Sequence, residues 1–338
     1  MKHQNTIVMN ANTMKAIVAT AYGTPDVLEL KQVAKPHPQP NEILIRIHAS
    51  SATTADGMMR TGKPYLGRLM TGLTKPKHPI PGTGFAGQVE AVGTSITQFQ
   101  LGDRVFGETT LGFSANAEYI VVPESSVVLP MPDNMSYMEA APFCDGVLTS
   151  WNYLKYLANL RPGQRILING ASGSLGTAAV QLAKYLGATV TGVCSNRNVG
   201  LVRSLGADEA IDYTRKDFTK GTEQYDYVFD TVGKSSFRAC KAILTKQGRY
   251  LCPALSLPLL WQMLRTNASS GQRAIFAATG LRSEDELRSM LEELLVIHQA
   301  GKLQVVIDRQ YPLEKLSEAH TYIAAGHKKG NVVITSAE

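Results

Sequence analysis

The sequence predicts an α/β protein that combines a doubly wound parallel sheet with a second, β-rich domain. Residues 165–184 read as a buried strand, a glycine turn and a helix, and strands and helices continue to alternate after them. Before about residue 140, short strands and glycine turns recur roughly every ten residues, a spacing typical of a small, partly open barrel. With 338 residues, 44% of them hydrophobic, the chain is long enough for both domains.

Short strands are predicted throughout the first part of the chain. Residues 42–48 alternate isoleucines with polar residues, which is the period of a half-buried strand. Residues 82–87 hold three glycines ahead of a strand at 88–92, and residues 101–106 close the next unit. The residues before Met14 are polar and irregular, and we expect them to form a loose extension. These units predict the β-rich domain.

A glycine turn is the main feature of the second part. Arg165–Asn169 is a mostly apolar run typical of a buried parallel strand, and apolar residues recur at helical spacing from Ser174 onward. Gly170, Gly173 and Gly176 lie three residues apart. Glycine lacks the Cβ that would keep the backbone away from a pyrophosphate, and the first N–H groups of the helix would face that anion. The pattern predicts a dinucleotide site; the alternative is that the glycines serve only the turn.

Strands and helices alternate through the rest of this domain. Thr189–Cys194 and Glu209–Asp212 are predicted strands that complete the β-α-β-α-β order of a Rossmann nucleotide-binding half. A helix is predicted over residues 284–300, with Ser283 and Glu286 as its capping box, before the tail returns to strands. Further strands are predicted at residues 225–230, 248–252 and 273–278.

The glycine turn and its flanks resemble the signature of a known family, the quinone oxidoreductase and zeta-crystallin branch of the medium-chain dehydrogenase/reductases. Ser174 departs from the signature, because the family usually has glycine there. The resemblance extends from Met14 to Thr335, and it implies a GroES-like catalytic domain at residues 1–139 and 281–338 and a Rossmann domain at 140–280. The matching residues are Gln164, Leu167, Ala171, Ser172, Gly173, Gly176, Gln181 and Lys184.

The resemblance implies a nicotinamide cofactor, and the residues near the second strand indicate NADPH. An NAD-selective site usually has an acid at the end of that strand, and residues 193–198 contain none. Arg197 could bind a 2′-phosphate bidentately and Ser195 could donate to it, while Tyr213 matches a family tyrosine that touches this phosphate. The alternative is that Arg197 is a solvated cation. The expected cofactor-binding residues are Thr149, Ala171, Ser172, Gly173, Ser174, Leu175, Ser195, Arg197, Tyr213, Val232, Phe276 and Asn331.

No metal site is predicted. Zinc-dependent relatives with the same architecture bind the metal through a Cys, a His-Glu pair and a second Cys, and the matching positions here are Thr53, Thr83 and Gly84. Cys144 lies close to the position of the last ligand, but one thiol cannot form a tetrahedral site. The cysteine-rich lobe that would follow Gly107 is also missing from the sequence.

Hydride transfer to an activated acceptor is the chemistry that these residues favour. Quinones and α,β-unsaturated carbonyl compounds accept hydride at a carbon whose negative charge spreads onto oxygen, so hydrogen bonds and a proton source suffice. The expected catalytic residues are Thr53, as a hydrogen-bond donor, and Tyr65. Asp56 is expected to be a helix N-cap. Residues 255–261 are interpreted as a flexible lid.

Composition and charge bear on location and partners. The four cysteines form no CxxC pair, and the net charge of +6 is spread without the blocks of like charge that mark nucleic-acid tails. No run of eighteen apolar residues and no signal-like segment occurs, so we expect a cytoplasmic protein without a membrane or nucleic-acid partner. Two alternatives stay open: a non-catalytic NADPH-binding protein of the crystallin kind, and an RNA-binding protein supported only by the net charge.

The last strand of the nucleotide-binding sheet predicts a homodimer. Residues 273–278 are short and apolar, and a strand at the sheet edge has unpaired N–H and C=O groups that can pair with another chain. Members of the family pair this edge with its twin across a two-fold axis. We therefore expect a dimer through residues 272–278, with Phe276 near the nicotinamide side of the cleft. The alternative is that a segment of the same chain covers the edge.

Overall fold

The computed structural model describes residues 12–63, 65–110, 113–267 and 271–336. The extension predicted before Met14 lies outside these residues as far as residue 11. The strands are β1 (Thr13–Ala19), β2 (Leu28–Ala34), β3 (Glu42–Ala52), β4 (Gly84–Val92), β5 (Arg104–Glu108), β6 (Tyr119–Pro123), β7 (Val127–Pro130), β8 (Arg165–Asn169), β9 (Thr189–Cys194), β10 (Glu209–Asp212), β11 (Tyr225–Asp230), β12 (Leu244–Leu251), β13 (Arg273–Ile275), β14 (Ile307–Pro312) and β15 (Asn331–Thr335).

Ten α-helices are present in the described residues. They are α1 (Thr54–Thr61), α2 (Arg68–Thr71), α3 (Tyr137–Ala140), α4 (Gly146–Trp151), α5 (Ser174–Tyr185), α6 (Val199–Ser204), α7 (Phe237–Cys240), α8 (Leu257–Asn267), α9 (Glu284–Gln299) and α10 (Leu316–Ala324). A π-helical stretch, Asn152–Leu157, continues α4.

The nucleotide-binding half is a six-stranded sheet in the order β10-β9-β8-β11-β12-β13, with every neighbouring pair parallel. The apolar residues of its central strand β8, Ile166, Leu167 and Ile168, are at 0% exposure, because helices cover both faces of a doubly wound sheet. The strand order changes direction between β8 and β11, and ligands of such sheets bind at the carboxyl ends of the strands beside that switch point. The predicted fold class is confirmed for this half.

The β-rich half is a seven-stranded sheet, β14-β15-β3-β4-β5-β7, with β6 paired to the other part of β3. Its two tail strands come from the end of the chain, and β15 pairs antiparallel with β3, setting Val332 opposite Ala52. Since β3 bonds to β6 along its first part and to β15 along its last, it runs beyond residue 48, where the predicted strand ends. This sheet confirms the GroES-like half of the prediction; the domain boundaries at residues 140 and 280 stay a prediction.

Two predicted elements differ from the structure. The strand predicted over residues 273–278 ends at Ile275, because the Tyr153 hydroxyl accepts from the Ala277 N–H at 2.8 Å and donates to the Ala277 carbonyl at 2.7 Å, so these groups are not available to a sheet. The segment interpreted as a flexible lid becomes helical at Leu257, where α8 begins. Among the residues described, no helix has the length and apolar character needed to cross a bilayer.

Candidate active site

In the glycine turn between β8 and α5, the backbone is accessible to a ligand at the switch point. Gly170 has φ +81°, and a Cβ there would lie 2.6 Å from Thr231 Oγ1. A Cβ at Gly176 would collide with the Gly170 carbonyl. Gly173 is different: the nearest atom to a Cβ there is the Gly170 oxygen at 3.4 Å, so the space in front of it is open. Gly173 is also the N-cap of α5 and provides no side-chain cap, which leaves the first N–H groups of the helix available to an anion.

The tail of the β-rich half is bonded directly to this turn. The Gly330 N–H donates to the Ser172 carbonyl at 2.8 Å, and Gly330 forms an isolated parallel bridge with Gly173. The Ser174 hydroxyl, which stands where the family has glycine, donates to Asn331 Oδ1. Four of the expected cofactor residues, Ser172, Gly173, Ser174 and Asn331, therefore lie together. Ala171 and Leu175 flank them in the chain, and Thr149 lies on α4, whose first residue, Gly146, packs against Ser174.

Ser195, Arg197 and Tyr213 lie near one another where β9 and β10 end. The Tyr213 N–H donates to the Cys194 carbonyl at 3.1 Å, and Arg197 and Tyr213 are exposed. One acid that the sequence analysis did not weigh, Asp212, is opposite Cys194 in the β9–β10 register. Its carboxylate accepts from the Thr214 hydroxyl at 2.7 Å and from the Thr214 N–H at 3.0 Å, and these bonds hold the pKa of Asp212 below its usual range.

Asp230 organises the turn after β11 and was missed by the sequence analysis. Its carboxylate is fully buried, and it accepts from Asn169 Nδ2 at 2.9 Å and from the Tyr250 hydroxyl at 2.7 Å. The backbone N–H groups of Val232, Gly233 and Ser235 also donate to it. Val232, an expected cofactor residue, is thereby held at the carboxyl edge of the sheet. In the sequence, an acidic residue at the end of a buried strand is the signal for such a group of hydrogen bonds.

Phe276, the remaining expected cofactor residue, follows the edge strand β13. It is partly buried and packs in an apolar cluster with Tyr250, Leu259 and Ala274. Its predicted place near the nicotinamide stays a prediction.

Thr53, an expected catalytic residue, is hydrogen-bonded at the start of α1. It is the N-cap of α1, it is 4% exposed, and its hydroxyl donates to Asp56 Oδ2 at 2.8 Å while accepting from the Asp56 N–H at 3.0 Å. The hydroxyl proton is therefore bonded within the chain, and the predicted role of Thr53 as a hydrogen-bond donor to the substrate stays a prediction. Asp56, expected to be the N-cap, is the third helical residue of the same capping box. Tyr65 is 67% exposed with its ring 4.9 Å from the Arg68 guanidinium, and its catalytic role stays a prediction.

Four ionisable side chains from distant parts of the sequence influence one another beside α1 and α4. We call Asp56, Glu108, Asp145 and Lys328 the charged cluster. Burial raises the pKa of Asp56 to about 6, against the hydrogen bonds from Thr53 that lower it. Burial raises the pKa of Glu108 to about 8, and the carboxylates of Asp145 and Asp56 add to that rise. Burial also raises the pKa of Asp145 and lowers that of Lys328, and attraction between these two opposes both shifts.

The positions of the zinc ligands in metal-dependent relatives lie next to this cluster. Thr53, Thr83 and Gly84 provide no strong ligand, and Cys144 is a buried free thiol whose pKa is raised by burial and by Glu108. Within the described ranges, no group of three or more His, Cys, Asp and Glu side chains is arranged to hold a metal ion.

Comparison with known proteins gives the family. The model of the alcohol dehydrogenase GroES-like domain matches residues 39–133, and that of the zinc-binding dehydrogenases matches residues 205–334. The 2-methylene-furan-3-one reductase of Solanum lycopersicum is 32% identical over 98% of this chain and 81% of its own. The chloroplastic quinone-oxidoreductase homolog of Spinacia oleracea is 31% identical over 96% of this chain and 99% of its own.

A solved structure shares the fold across both halves. It is a mycobacterial protein complexed with NADPH, which is 26% identical, with a TM-score of 0.80, over 95% of this chain and 99% of its own. The same family is indicated by the parallel sheet, by the GroES-like half and by these relatives. The chain is an oxidoreductase that belongs to the medium-chain dehydrogenase/reductases, in the branch of the zinc-free quinone oxidoreductases.

Proposed function

We propose that this protein uses NADPH to reduce quinones or α,β-unsaturated carbonyl compounds. The observation that carries the proposal is the glycine turn at the switch point, where the backbone at Gly173 is open and α5 begins without a side-chain cap. The Solanum relative is named for an enone, the Spinacia relative for quinones, and the mycobacterial structure contains NADPH.

The expected cofactor residues fall into three groups along the carboxyl edge of the sheet. Residues 171–175 would bind the pyrophosphate through backbone N–H groups, with Asn331 beside them. Ser195, Arg197 and Tyr213 would bind the 2′-phosphate, for which an unpaired guanidinium is better suited than a carboxylate. The third group, Thr149, Val232 and Phe276, would lie toward the nicotinamide.

The bound cofactor supplies a hydride, and the protein must orient the acceptor and supply a proton. Hydride addition to a conjugated carbonyl places negative charge on the carbonyl oxygen, so a donor aimed at that oxygen lowers the barrier. Thr53 could be that donor only by giving up its hydrogen bond to Asp56.

The test is an NADPH-oxidation assay with quinones, enals, simple ketones and alcohols as acceptors. We expect steady turnover with quinones or conjugated carbonyls, and little or none with simple ketones. NADPH binding without turnover on either activated class would contradict the proposal and favour the non-catalytic alternative.

We also propose a cytoplasmic homodimer that needs neither membrane nor nucleic acid. All four cysteines are unpaired, which suits a reducing compartment. The edge position of β13 and the exposed apolar residues of α8 support the dimer.

A further inference from the structure

Glu108 extends from the end of β5 over a glycine of the neighbouring strand. In the β4–β5 ladder, Gly84 is directly opposite Glu108, and the side chains of opposite residues point to the same face of a sheet. A Cβ at Gly84 would lie 2.8 Å from Ser51 Oγ and 2.6 Å from the Ala141 carbonyl. Ser51, Gly84 and Glu108 therefore form a row across three strands, on the face toward the segment that leads into α4.

Two polar groups of this row have no hydrogen-bond partner among the residues that the structure describes. The Ser51 hydroxyl is buried, at 1% exposure, and makes no hydrogen bond with any residue that the structure describes. The Glu108 carboxyl, which is partly buried, likewise has no hydrogen-bond partner in the described ranges. A buried hydroxyl without a partner is rare in native proteins unless a ligand or water completes it. Ser51 lies beside Gly84, which stands at the position of one zinc ligand in metal-dependent relatives, and Glu108 lies near Cys144, which is close to the position of another.

Burial raises the pKa of Glu108 to about 8, and the carboxylates of Asp145 and Asp56 add to that rise, so its carboxyl is mostly protonated at neutral pH. Asp56 faces it from α1, and Asp145 and Cys144 face it from the segment before α4. Lys328, from the segment before β15, attracts Asp56 and Asp145 and opposes the rise in the pKa of both. A carboxylic acid that stays protonated is a hydrogen-bond donor and an acid.

We propose that Glu108 is the acid that donates to, and then protonates, the carbonyl oxygen of the substrate, at the place where zinc-dependent relatives hold their metal. The inference rests on the proposed function and names the proton donor of that reaction. A Brønsted acid here replaces the Lewis acid of those relatives, since both neutralise the charge that develops on the same oxygen.

The protonation step balances for a conjugated enone. The β-carbon receives the hydride, with its two electrons. The π pair of the C=C bond then forms the double bond between the α-carbon and the carbonyl carbon, and the π pair of the C=O bond moves onto the oxygen to give the enolate. The O–H bond of Glu108 breaks and leaves its electron pair on the carboxylate, and the proton forms a new O–H bond on the enolate oxygen. The enol then becomes the ketone as its O–H proton is lost to water and a proton from water is added at the α-carbon, and the carboxylate takes a proton back from water.

The first test needs no cofactor. The chromophoric enal 4-(dimethylamino)cinnamaldehyde, whose absorption moves to longer wavelength when its carbonyl oxygen is protonated or strongly hydrogen-bonded, is added to the protein alone. We expect a red shift with the wild type that fades as the pH rises through about 8. The shift should be absent in Glu108→Ala and smaller in Glu108→Gln, whose amide donates more weakly. The same shift in Glu108→Ala as in the wild type would overturn the proposal.

The second test uses turnover. Glu108→Gln keeps the shape of the side chain but carries no acidic proton, so the rate of enone reduction should fall by roughly 10²- to 10⁴-fold. NADPH affinity, measured by quenching of the cofactor's fluorescence, should stay unchanged. Glu90→Gln is the matched control, because Glu90 is a partly buried carboxyl on β4 that is paired with Lys35. Its rate should equal that of the wild type.

The two tests separate the failure of this proposal from the failure of the proposed function. If the wild type turns over enones and Glu108→Gln does so equally fast, the role of Glu108 is refuted and the reductase function stands. If the wild type reduces no acceptor, the reductase function fails, and the spectral shift alone then supports or refutes a donor at Glu108. If the Glu108 variants do not fold, the pH dependence of the wild-type shift decides: a shift that persists unchanged above pH 9 refutes the proposal.

Discussion

Arg197 is exposed just after β9, and no ion pair holds its guanidinium within the described part of the chain. Removing it should weaken NADPH binding and leave NADH binding almost unchanged, since only NADPH has a 2′-phosphate for it to contact. One lost charge-assisted contact corresponds to about 1.5 to 3 kcal/mol, or roughly a tenfold to hundredfold rise in Kd. Titration calorimetry of Arg197→Ala with both cofactors measures this change.

Arg203→Ala is the control for that experiment, because Arg203 is an exposed arginine on the helix that follows. It should leave both affinities unchanged. Equal affinity of the wild type for NADH and NADPH would contradict the predicted preference.

His320 should make the stability of the protein depend on acid pH. It is 2% exposed, Arg60 Nε donates to its Nδ1 at 3.4 Å, and burial lowers the pKa of His320 to about 4. The unfolded chain takes up this proton near pH 6.5, so the neutral His320 stabilises the fold fully above pH 6.5 and loses that contribution between pH 6.5 and 4. A pKa difference of this size between the folded and unfolded chain corresponds to at most about 3 kcal/mol of the free energy of unfolding.

The measurement is thermal unfolding from pH 7 to pH 4 for the wild type and for His320→Gln, whose side-chain oxygen can still accept from Arg60. The melting temperature of the variant should fall less steeply over this range. The pKa values of Asp56 and Glu108 are raised in the fold, so these two carboxyls change the stability with pH in the opposite direction to His320. Their contribution is the same in both proteins and cancels when the two are compared. His37→Gln, at an exposed histidine, should follow the wild type; if His320→Gln does so as well, the buried histidine is not responsible.

Thr53 and Ser174 show where residue-level prediction from the sequence succeeds and fails. The spacing of Thr53 and Asp56 is itself a capping-box pattern, so the internal bond of Thr53 could have been predicted. The bond of Ser174 to Asn331 joins residues 157 positions apart, and no local pattern indicates it. The charged cluster could not be predicted for the same reason, since its four residues come from four separate segments.

At the scale of elements, the glycine turn separates residues needed for folding from a residue needed for binding. Gly173→Ala should fold almost normally, because its backbone is extended, with φ −83°, and a Cβ has only the Gly170 oxygen near it. Its methyl group would stand in the path of the pyrophosphate, so NADPH affinity should fall roughly tenfold or more. Gly176→Ala should instead destabilise the fold by about 1 to 3 kcal/mol, because its Cβ meets the Gly170 carbonyl.

Urea unfolding and NADPH titration of both glycine variants test this division. Loss of stability in Gly173→Ala with unchanged affinity would show that Gly173 serves only the turn, which is the alternative weighed from the sequence.

Elements were predictable where their signals are local. The strands of the nucleotide-binding sheet have apolar runs bounded by turns, so Tyr225–Asp230 was placed without error, while β12 begins four residues before the predicted residue 248. The end of β13 depends on a hydroxyl from Tyr153, more than a hundred residues away. The pairing of β15 with β3 joins the two ends of the chain, and periodicity alone cannot place it.

At the scale of the whole molecule, the edge of the nucleotide-binding sheet is only partly open. The order of strands puts β13 at the edge, as predicted, but the Thr266 hydroxyl of α8 accepts from the Ala274 N–H at 3.1 Å. The Ile275 carbonyl accepts from the Cys252 N–H, so the N–H of Ile275 faces β12 as well. A proline at 275 would therefore damage the sheet itself and would not test the seam.

The apolar face of α8 is a better test of assembly. Leu257, Trp261 and Leu264 recur at helical spacing on α8, beside β13, and are 78%, 56% and 74% exposed. A stripe of three large apolar side chains in water marks an interface, so we expect a homodimer in which two copies bury α8 and the end of β13 together.

Light scattering at low micromolar concentration should give about twice 36.6 kDa for the wild type. Trp261→Glu should give the monomer mass, because a charge buried at the seam lacks a partner. Val296→Glu places the same charge on an exposed apolar residue of α9 and should remain dimeric. A wild type that scatters as 36.6 kDa rejects the dimer, and a dimer that persists in Trp261→Glu places its interface elsewhere.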